Sequence, residues 1–171
     1  MSLESDGQPV RPTILDFRRT LARYATGVTV VTTRVDGVDH AMTANSFTSV
    51  SLDPMLVLVC VERSVRFHDA VLKSGLWAVS VLGADDREAA EWFALRGRPL
   101  TGQLERFSHI RGPLTDAAVL SSAMASLEVR TTAIHDGGDH DIVVGEVLAL
   151  GRAPQPGRPL LYFDSGYREL R

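Results

Sequence analysis

The sequence predicts a mainly β domain, a closed or nearly closed antiparallel barrel with helices at its periphery. Three observations point there. Six or more segments of strand length are rich in Val, Ile, Leu and Thr; most are joined by short turns; and the helical patterns are too scattered to alternate with strands as a βαβ fold requires. With 171 residues, 44% of them hydrophobic and 23% charged, the chain can bury one core of ordinary size without disulfides or a structural metal.

Residues 1–12 are polar and proline-punctuated and read as a flexible lead-in to a domain over 13–171. Phe17, Leu21 and Tyr24 then recur at helical spacing, with Thr13 placed to cap the helix and Gly27 to end it. Val28 to Thr33 is a β-branched strand, Asp36-Gly37 a hairpin turn, and Ala41 to Leu52 the second strand of the pair. Asp53-Pro54 breaks the chain, and the apolar run Met55 to Val61 reads as a central strand covered on both faces. Ser64 to Leu72 suggests a short helix closed near Gly75, followed by a strand from Trp77 to Leu82. Asp85 with Glu88 has the capping-box pattern before a helix carrying Ala89, Ala90, Trp92, Phe93 and Leu95. Arg96 to Pro113 reads as loop. Strands are expected again at Met124 to Ile134 and Ile142 to Leu150, around a hairpin from His135 to His140, and lastly at Leu160 to Phe163.

The net charge of −3 and the scattered basic residues argue against a nucleic-acid partner, which calls for a basic stripe. No window approaches the ~18 apolar residues of a membrane span, and the first residues lack the apolar stretch of a signal peptide, so no membrane and a cytoplasmic location are expected. The dinucleotide glycine fingerprint, the P-loop, the Gly-x-Ser-x-Gly elbow and the Cys-x-x-Cys pair are all missing. The single cysteine, Cys60, lies inside the apolar run and reads as packing, because a reactive thiol needs exposure and an electropositive neighbour.

Three stretches could carry chemistry. Thr43-Ala-Asn-Ser-Phe-Thr-Ser-Val-Ser51 concentrates hydroxyls and an amide; it is either a half-exposed edge strand or a surface offering neutral donors to a planar, heteroatom-rich ligand. Arg63-Ser64-Val65-Arg66 opens a helix and is either a solvated helix start or a phosphate seat of backbone N–H groups and guanidinium groups. His135 and His140 would face each other across a four-residue hairpin, near enough to share a metal. A closed zinc site wants four ligands, however, and no third His or Cys is near in sequence. No metal is expected, and one histidine at a loop rim, hydrogen-bonding a ligand, is the better functional reading.

Taken together, Phe17-Arg-x-x-Leu21, Tyr24-Ala-Thr-Gly-Val-Thr-Val-Val-Thr32, Met42-Thr-Ala-Asn-Ser-Phe-Thr-Ser-Val-Ser-Leu-Asp-Pro54, Gly138-Asp-His140 and Leu161-Tyr-Phe-x-x-Gly-Tyr-Arg168 resemble the short-chain flavin reductases, the reductase components of two-component flavin-dependent monooxygenases. The resemblance runs in order over about residues 14 to 168. It implies an antiparallel FMN-binding split barrel, a homodimer, reduction of FAD or FMN by NADH or NADPH, and delivery of reduced flavin to a partner monooxygenase. By the same resemblance, Thr43, Ala44, Asn45 and Ser46 contact the isoalloxazine ring and ribityl chain, and Ser49, Val50 and Ser51 continue that wall. Cys60, Val61, Glu62, Arg63 and Ser64 match the strand end and turn that hold the flavin's chain and phosphate, with Phe67 counted beside them; Glu62 sets a negative charge there. Gly138, Asp139 and His140 match the nicotinamide side, where His140 takes the catalytic assignment, and Tyr167 and Arg168 match the C-terminal end near it.

Such a reaction needs no protein nucleophile, because hydride passes directly between rings stacked within about 3.5 Å; orientation is the catalysis. Backbone N–H groups from Asn45 to Val50 would stabilise the anionic reduced flavin. NADH is expected over NADPH, since no arginine cluster lies by the His140 hairpin to seat a 2′-phosphate. Two alternatives share the architecture: an oxidase of the pyridoxamine phosphate type with retained FMN, and a non-catalytic flavin- or haem-binding barrel. The Gly-Asp-His element favours the reductase.

Overall fold

The structure, a computed structural model, describes residues 11–155 and 157–170, so most of the expected lead-in lies outside the described residues. Helix α1 (Ile14–Leu21) is followed by strands β1 (Thr26–Gly27), β2 (Thr29–Val35), β3 (Val38–Ala44), β4 (Thr48–Leu52) and β5 (Met55–Glu62). Then come α2 (Arg66–Ser74), β6 (Leu76–Val81), a single helical turn (Ala84–Asp86), α3 (Arg87–Ala94), β7 (His109–Arg111) and β8 (Ala118–Leu120). The long hairpin β9 (Ala125–Gly137) and β10 (His140–Arg152) precedes β11 (Leu160–Phe163) and β12 (Gly166–Glu169). No helix among the described residues is long and apolar enough to cross a membrane.

Seven antiparallel strands form the main sheet, in the order β3-β2-β6-β9-β10-β5-β4. Its two edge strands, β3 and β4, are neighbours in the chain, joined only by Asn45, Ser46 and Phe47. The sheet must therefore curl until its edges meet, which makes a barrel with a split where the ladder fails to close. Side chains occupy the split. The Ser46 hydroxyl accepts from the Cys60 N–H at 3.2 Å and donates to the Cys60 carbonyl at 3.1 Å, continuing the β4–β5 register beyond the Thr48–Leu58 pair. On the other edge, Arg98 donates to the Ala41 carbonyl and Gln103 to the Asp39 carbonyl, in place of a missing strand.

Branched and aromatic side chains fill the barrel: Val31, Val57, Val59, Val61, Trp77, Val79, Val129 and Val143, closed at one end by Phe67 and Val71 of α2. Gly145 is required here, because a Cβ at that position would lie 2.3 Å from Val129 Cγ1 and 2.9 Å from Trp77 Cζ2. A second cluster outside the barrel packs Val28 and Val30 against Ala89, Ala90 and Phe93 of α3, with Leu120 and Leu160.

Several expectations need correction. The strand buried on both faces is β2, which lies between the two clusters; β5 alternates and buries only Val57, Val59 and Val61. Ala41 to Leu52 is two strands, because the chain crosses the split at Asn45. Thr13 does cap α1, its hydroxyl accepting from the Asp16 N–H at 3.2 Å, but the helix ends at Leu21 and Gly27 falls in β1. The capping box expected from Asp85 and Glu88 is not formed; Asp86 instead accepts the Gly83 N–H at 2.9 Å. The loop from Arg96 to Pro113 contains the short strand β7. The chain also adds a strand, β12, that pairs with β11.

Candidate active site

A cavity of about 640 Å³ opens beside the split. One wall is the β3 edge from His40 to Ala44, continued by Asn45 and Ser46; the floor is Cys60 at the end of β5. Ser64, Arg66 and Phe67 at the start of α2 form another side, the segment from Phe93 to Gln103 faces them, and His140 stands at the rim. The β3 wall is fixed to α3 by the Thr43 hydroxyl, which donates to the Ala90 carbonyl at 2.7 Å. Small side chains at Ala44 and Ser46 leave the backbone of this wall within reach of a flat ligand.

Three arginines line the cavity with different duties. Arg96 pairs with Glu62 at 2.5 Å, which answers the negative charge that Glu62 brings. Hydrogen bonding from Ser64, with help from Arg96, holds the Glu62 carboxyl below its ordinary range. Arg98 is turned inward. It donates to the Phe93 and Leu95 carbonyls at 2.9 Å each, capping the end of α3, and it lies over the Phe93 ring at 5.5 Å. Burial, reinforced by the charge of Arg66, pushes the Arg98 guanidinium down to about 10, still protonated at neutral pH. Arg66 has one amino group on the Arg98 carbonyl at 2.6 Å and, among the described residues, forms no ion pair. It is the cation of the three left to meet a ligand.

His40 also lines the cavity. Its Nδ1 is buried without a hydrogen-bond partner, and burial followed by the charge of Arg66 lowers its basicity, against the opposing pull of Asp39.

The β9–β10 turn is tighter than the sequence suggests. Gly137 pairs with His140 across a two-residue turn at Gly138 and Asp139, and His135 pairs with Ile142, so the two histidines do not face each other. His140 reaches the cavity rim with its Nδ1 2.7 Å from Asp139 Oδ1, and that contact lowers the Asp139 carboxyl. Among the described residues no cluster of His, Cys, Asp or Glu has the geometry to hold a metal ion.

The cavity thus gathers Thr43, Ala44, Asn45, Ser46, Cys60, Glu62, Ser64, Phe67 and His140 from the residues singled out in the sequence. Others lie elsewhere. Ser49, Val50 and Ser51 run along the edge strand β4 beyond the lining, with a bulge at Val50, and Val61 points into the barrel. Gly138 and Asp139 form the turn behind His140. Tyr167 and Arg168 line a separate cleft of about 310 Å³ with Arg87 and Arg158. The expected phosphate-binding tetrapeptide is split by the start of α2 at Arg66: Arg66 faces the cavity, whereas Arg63 is turned to the β9–β10 hairpin. Sequence reasoning passed over His40, Arg96, Arg98 and Gln103. Two arginines around a glycine directly after a helix, Arg96-Gly97-Arg98, were the available signal.

The model of the flavin reductase like domain family matches residues 21–171, nearly the whole barrel. The chain belongs to that family. Among related flavin reductases, the reductase component of 4-hydroxyphenylacetate 3-monooxygenase from Thermus thermophilus is 38% identical over 156 residues, covering 90% of this chain and 95% of that one. A crystal structure of the flavin reductase component of a bacterial two-component tryptophan halogenase is 42% identical, with a TM-score of 0.87 over 92% of this chain and 98% of that one. The NADH:FAD oxidoreductase of Streptomyces globisporus, solved in complex with NAD and FAD fragments, has a TM-score of 0.89 and 35% identity, covering 96% of this chain and 97% of that one. The split barrel expected from the flavin reductase resemblance is thus the fold observed.

Proposed function

We propose that this protein is an NADH-dependent flavin reductase that takes up free FAD or FMN in the cavity beside the split and passes reduced flavin to a separate monooxygenase component. The observation that carries this reading is the division of the cavity into a neutral wall, Thr43 to Ser46, and a cationic wall whose free member is Arg66. That division suits a ligand with a polar, uncharged ring system at one end and a phosphate at the other. At about 640 Å³ the cavity also falls in the ordinary range for small-molecule sites, roughly 300–1,000 Å³. When bound, flavin supplies the hydride acceptor, and the protein supplies orientation.

The residues divide that work. Backbone N–H groups and the Asn45 amide at the β3–β4 crossing would hydrogen-bond ring oxygens and nitrogens and favour the reduced, anionic ring. Val65, the residue before α2, offers no side-chain cap, so the first N–H groups of that helix and the Arg66 guanidinium together suit a phosphate. This moves the phosphate role from Arg63 to Arg66. His140, at the opposite rim, would orient the nicotinamide nucleotide by one imidazole hydrogen bond.

A homodimer is part of the same proposal, supported by the apolar surface that a single chain leaves open on α1. The test of the activity is NADH oxidation by purified protein with and without added flavin. Turnover is expected only when FAD or FMN is supplied. Stoichiometric flavin surviving extensive dialysis would establish the retained-cofactor oxidase instead.

A further inference from the structure

Arg63 sits in the turn after β5, yet its side chain is used by the β9–β10 hairpin. Its Nε donates to Asp141 Oδ1 at 3.0 Å, its Nη2 to Asp141 Oδ1 and Asp136 Oδ1 at 2.6 Å each, and its Nη1 to the Gly138 carbonyl at 3.0 Å. The Arg63 backbone N–H donates to the Asp139 carbonyl at 3.0 Å. The turn is wrapped around one guanidinium. The second oxygen of Asp141 lies 2.8 Å from His68 Nε2, so α2 joins the clamp.

These bonds differ in weight. Asp136 is 78% exposed and its contact with Arg63 adds little, whereas Asp141 is only 12% exposed, and there the charge-assisted bonds are strong. Charge gives the clamp its task. The hairpin concentrates the carboxylates of Asp136, Asp139 and Asp141 within six residues; β5 pairs with its β10 side as far as Glu62–His140, but residues 136–139 are exposed, and Arg63 sets a positive charge against the repulsion there. His140 lies between two anchored neighbours: the Asp139 carbonyl is bound by the Arg63 backbone, and the Asp141 carboxylate by the Arg63 side chain.

We infer that Arg63 is a positioning residue for nicotinamide-nucleotide use: it shapes the 136–141 hairpin so that His140 meets the cavity rim in one orientation. The inference rests on the reading of His140 as the nicotinamide side of the site. It also separates Arg63 from the flavin phosphate, because a guanidinium committed to four acceptor contacts on the hairpin is not free to bind a ligand.

Initial rates on the full chain with added FAD test this, comparing Arg63→Gln, Arg63→Lys and His140→Ala. Arg63→Gln should raise the KM for NADH about tenfold or more, with kcat at saturating NADH within about threefold and the KM for FAD unmoved; Arg63→Lys should recover part of the loss. A rise in the KM for FAD rather than NADH would overturn the inference and return Arg63 to the phosphate. No change in Arg63→Gln, while His140→Ala raises the KM for NADH, would also overturn it and leave the functional reading standing. If neither variant alters NADH use, both fall. Should Arg63→Gln not fold, Asp141→Asn removes the same charge pair from the other side; the same KM shift is expected, and its absence counts against the clamp.

Discussion

At the scale of single residues, the site depends on how each cationic side chain is engaged rather than on how many there are. Arg98 illustrates this. A half-buried guanidinium with carbonyl partners at Ala41, Phe93 and Leu95 ties the end of α3 to the β3 edge and so sets the width of the cavity. Arg98→Met leaves those carbonyls without donors, which should cost about 2–4 kcal/mol of stability and raise the KM for flavin. Denaturant midpoints and flavin titrations check both, and an unchanged midpoint would show that water replaces the guanidinium. His140→Ala should lower kcat/KM for NADH about 5- to 150-fold, the loss of one ligand hydrogen bond worth on the order of 1–3 kcal/mol, with little change in flavin affinity. Collapse of flavin affinity instead would mean that the two sides of the cleft are reversed.

At the scale of elements, the hairpin and α2 share a titrating contact. His68 lies between Asp141 Oδ2 at 2.8 Å and Asp69 Oδ1 at 2.9 Å, with Arg63 and Asp136 beyond. Hydrogen bonding to Asp141, then to Asp69, raises its pKa above the ordinary 6.5. A raised folded-state value means that the protonated form is favoured by folding, so the stabilisation is complete below about pH 6.5 and fades as pH climbs through the folded value. Asp141, held below 3.8 by Arg63 and His68, imposes the opposite limit in acid, where its protonation releases both partners. Thermal unfolding of the parent and of His68→Gln should therefore differ most between about pH 4 and 6.5 and converge at higher pH. A gap that grows with pH would contradict the assignment.

The same elements show what sequence pattern can and cannot convey. Turn and strand signals such as Asp36-Gly37 and Trp77 to Leu82 are local, and they hold: Asp36 and Gly37 both take positive φ in the two-residue turn that pairs Val35 with Val38. That Thr43 to Ser46 lie together along one wall was legible for the same reason, but not that the Thr43 and Ser46 hydroxyls are spent on the Ala90 and Cys60 carbonyls. What was hidden depends on distant partners. Nothing near Arg63 in sequence reveals that a turn more than 70 residues later will take its side chain. Nor does the periodicity of β2 and β5 show which of them has α3 on its outer face.

At the scale of the whole molecule, α1 needs an explanation that the described residues do not provide. It is an eight-residue helix with none of its residues buried, and Ile14, Phe17 and Leu21 are 74%, 61% and 53% exposed. Helices this short are marginal alone in water and take their stability from covering an apolar face. The amphipathic spacing that predicted the helix therefore predicts a partner surface, and in the proposed homodimer a second copy of the chain would supply one by two-fold symmetry, with every contact made twice. Each Phe or Leu fully covered is worth about 2 kcal/mol. Phe17→Glu combined with Leu21→Glu removes two such groups from each protomer and places carboxylates in the seam, so dissociation should strengthen by more than a thousandfold on this arithmetic. Light scattering should then report a dimer for the parent and a monomer for the double variant at micromolar concentration. A monomeric parent would refute the dimer, and a double variant that still runs as a dimer would move the interface from α1 to another face of the barrel.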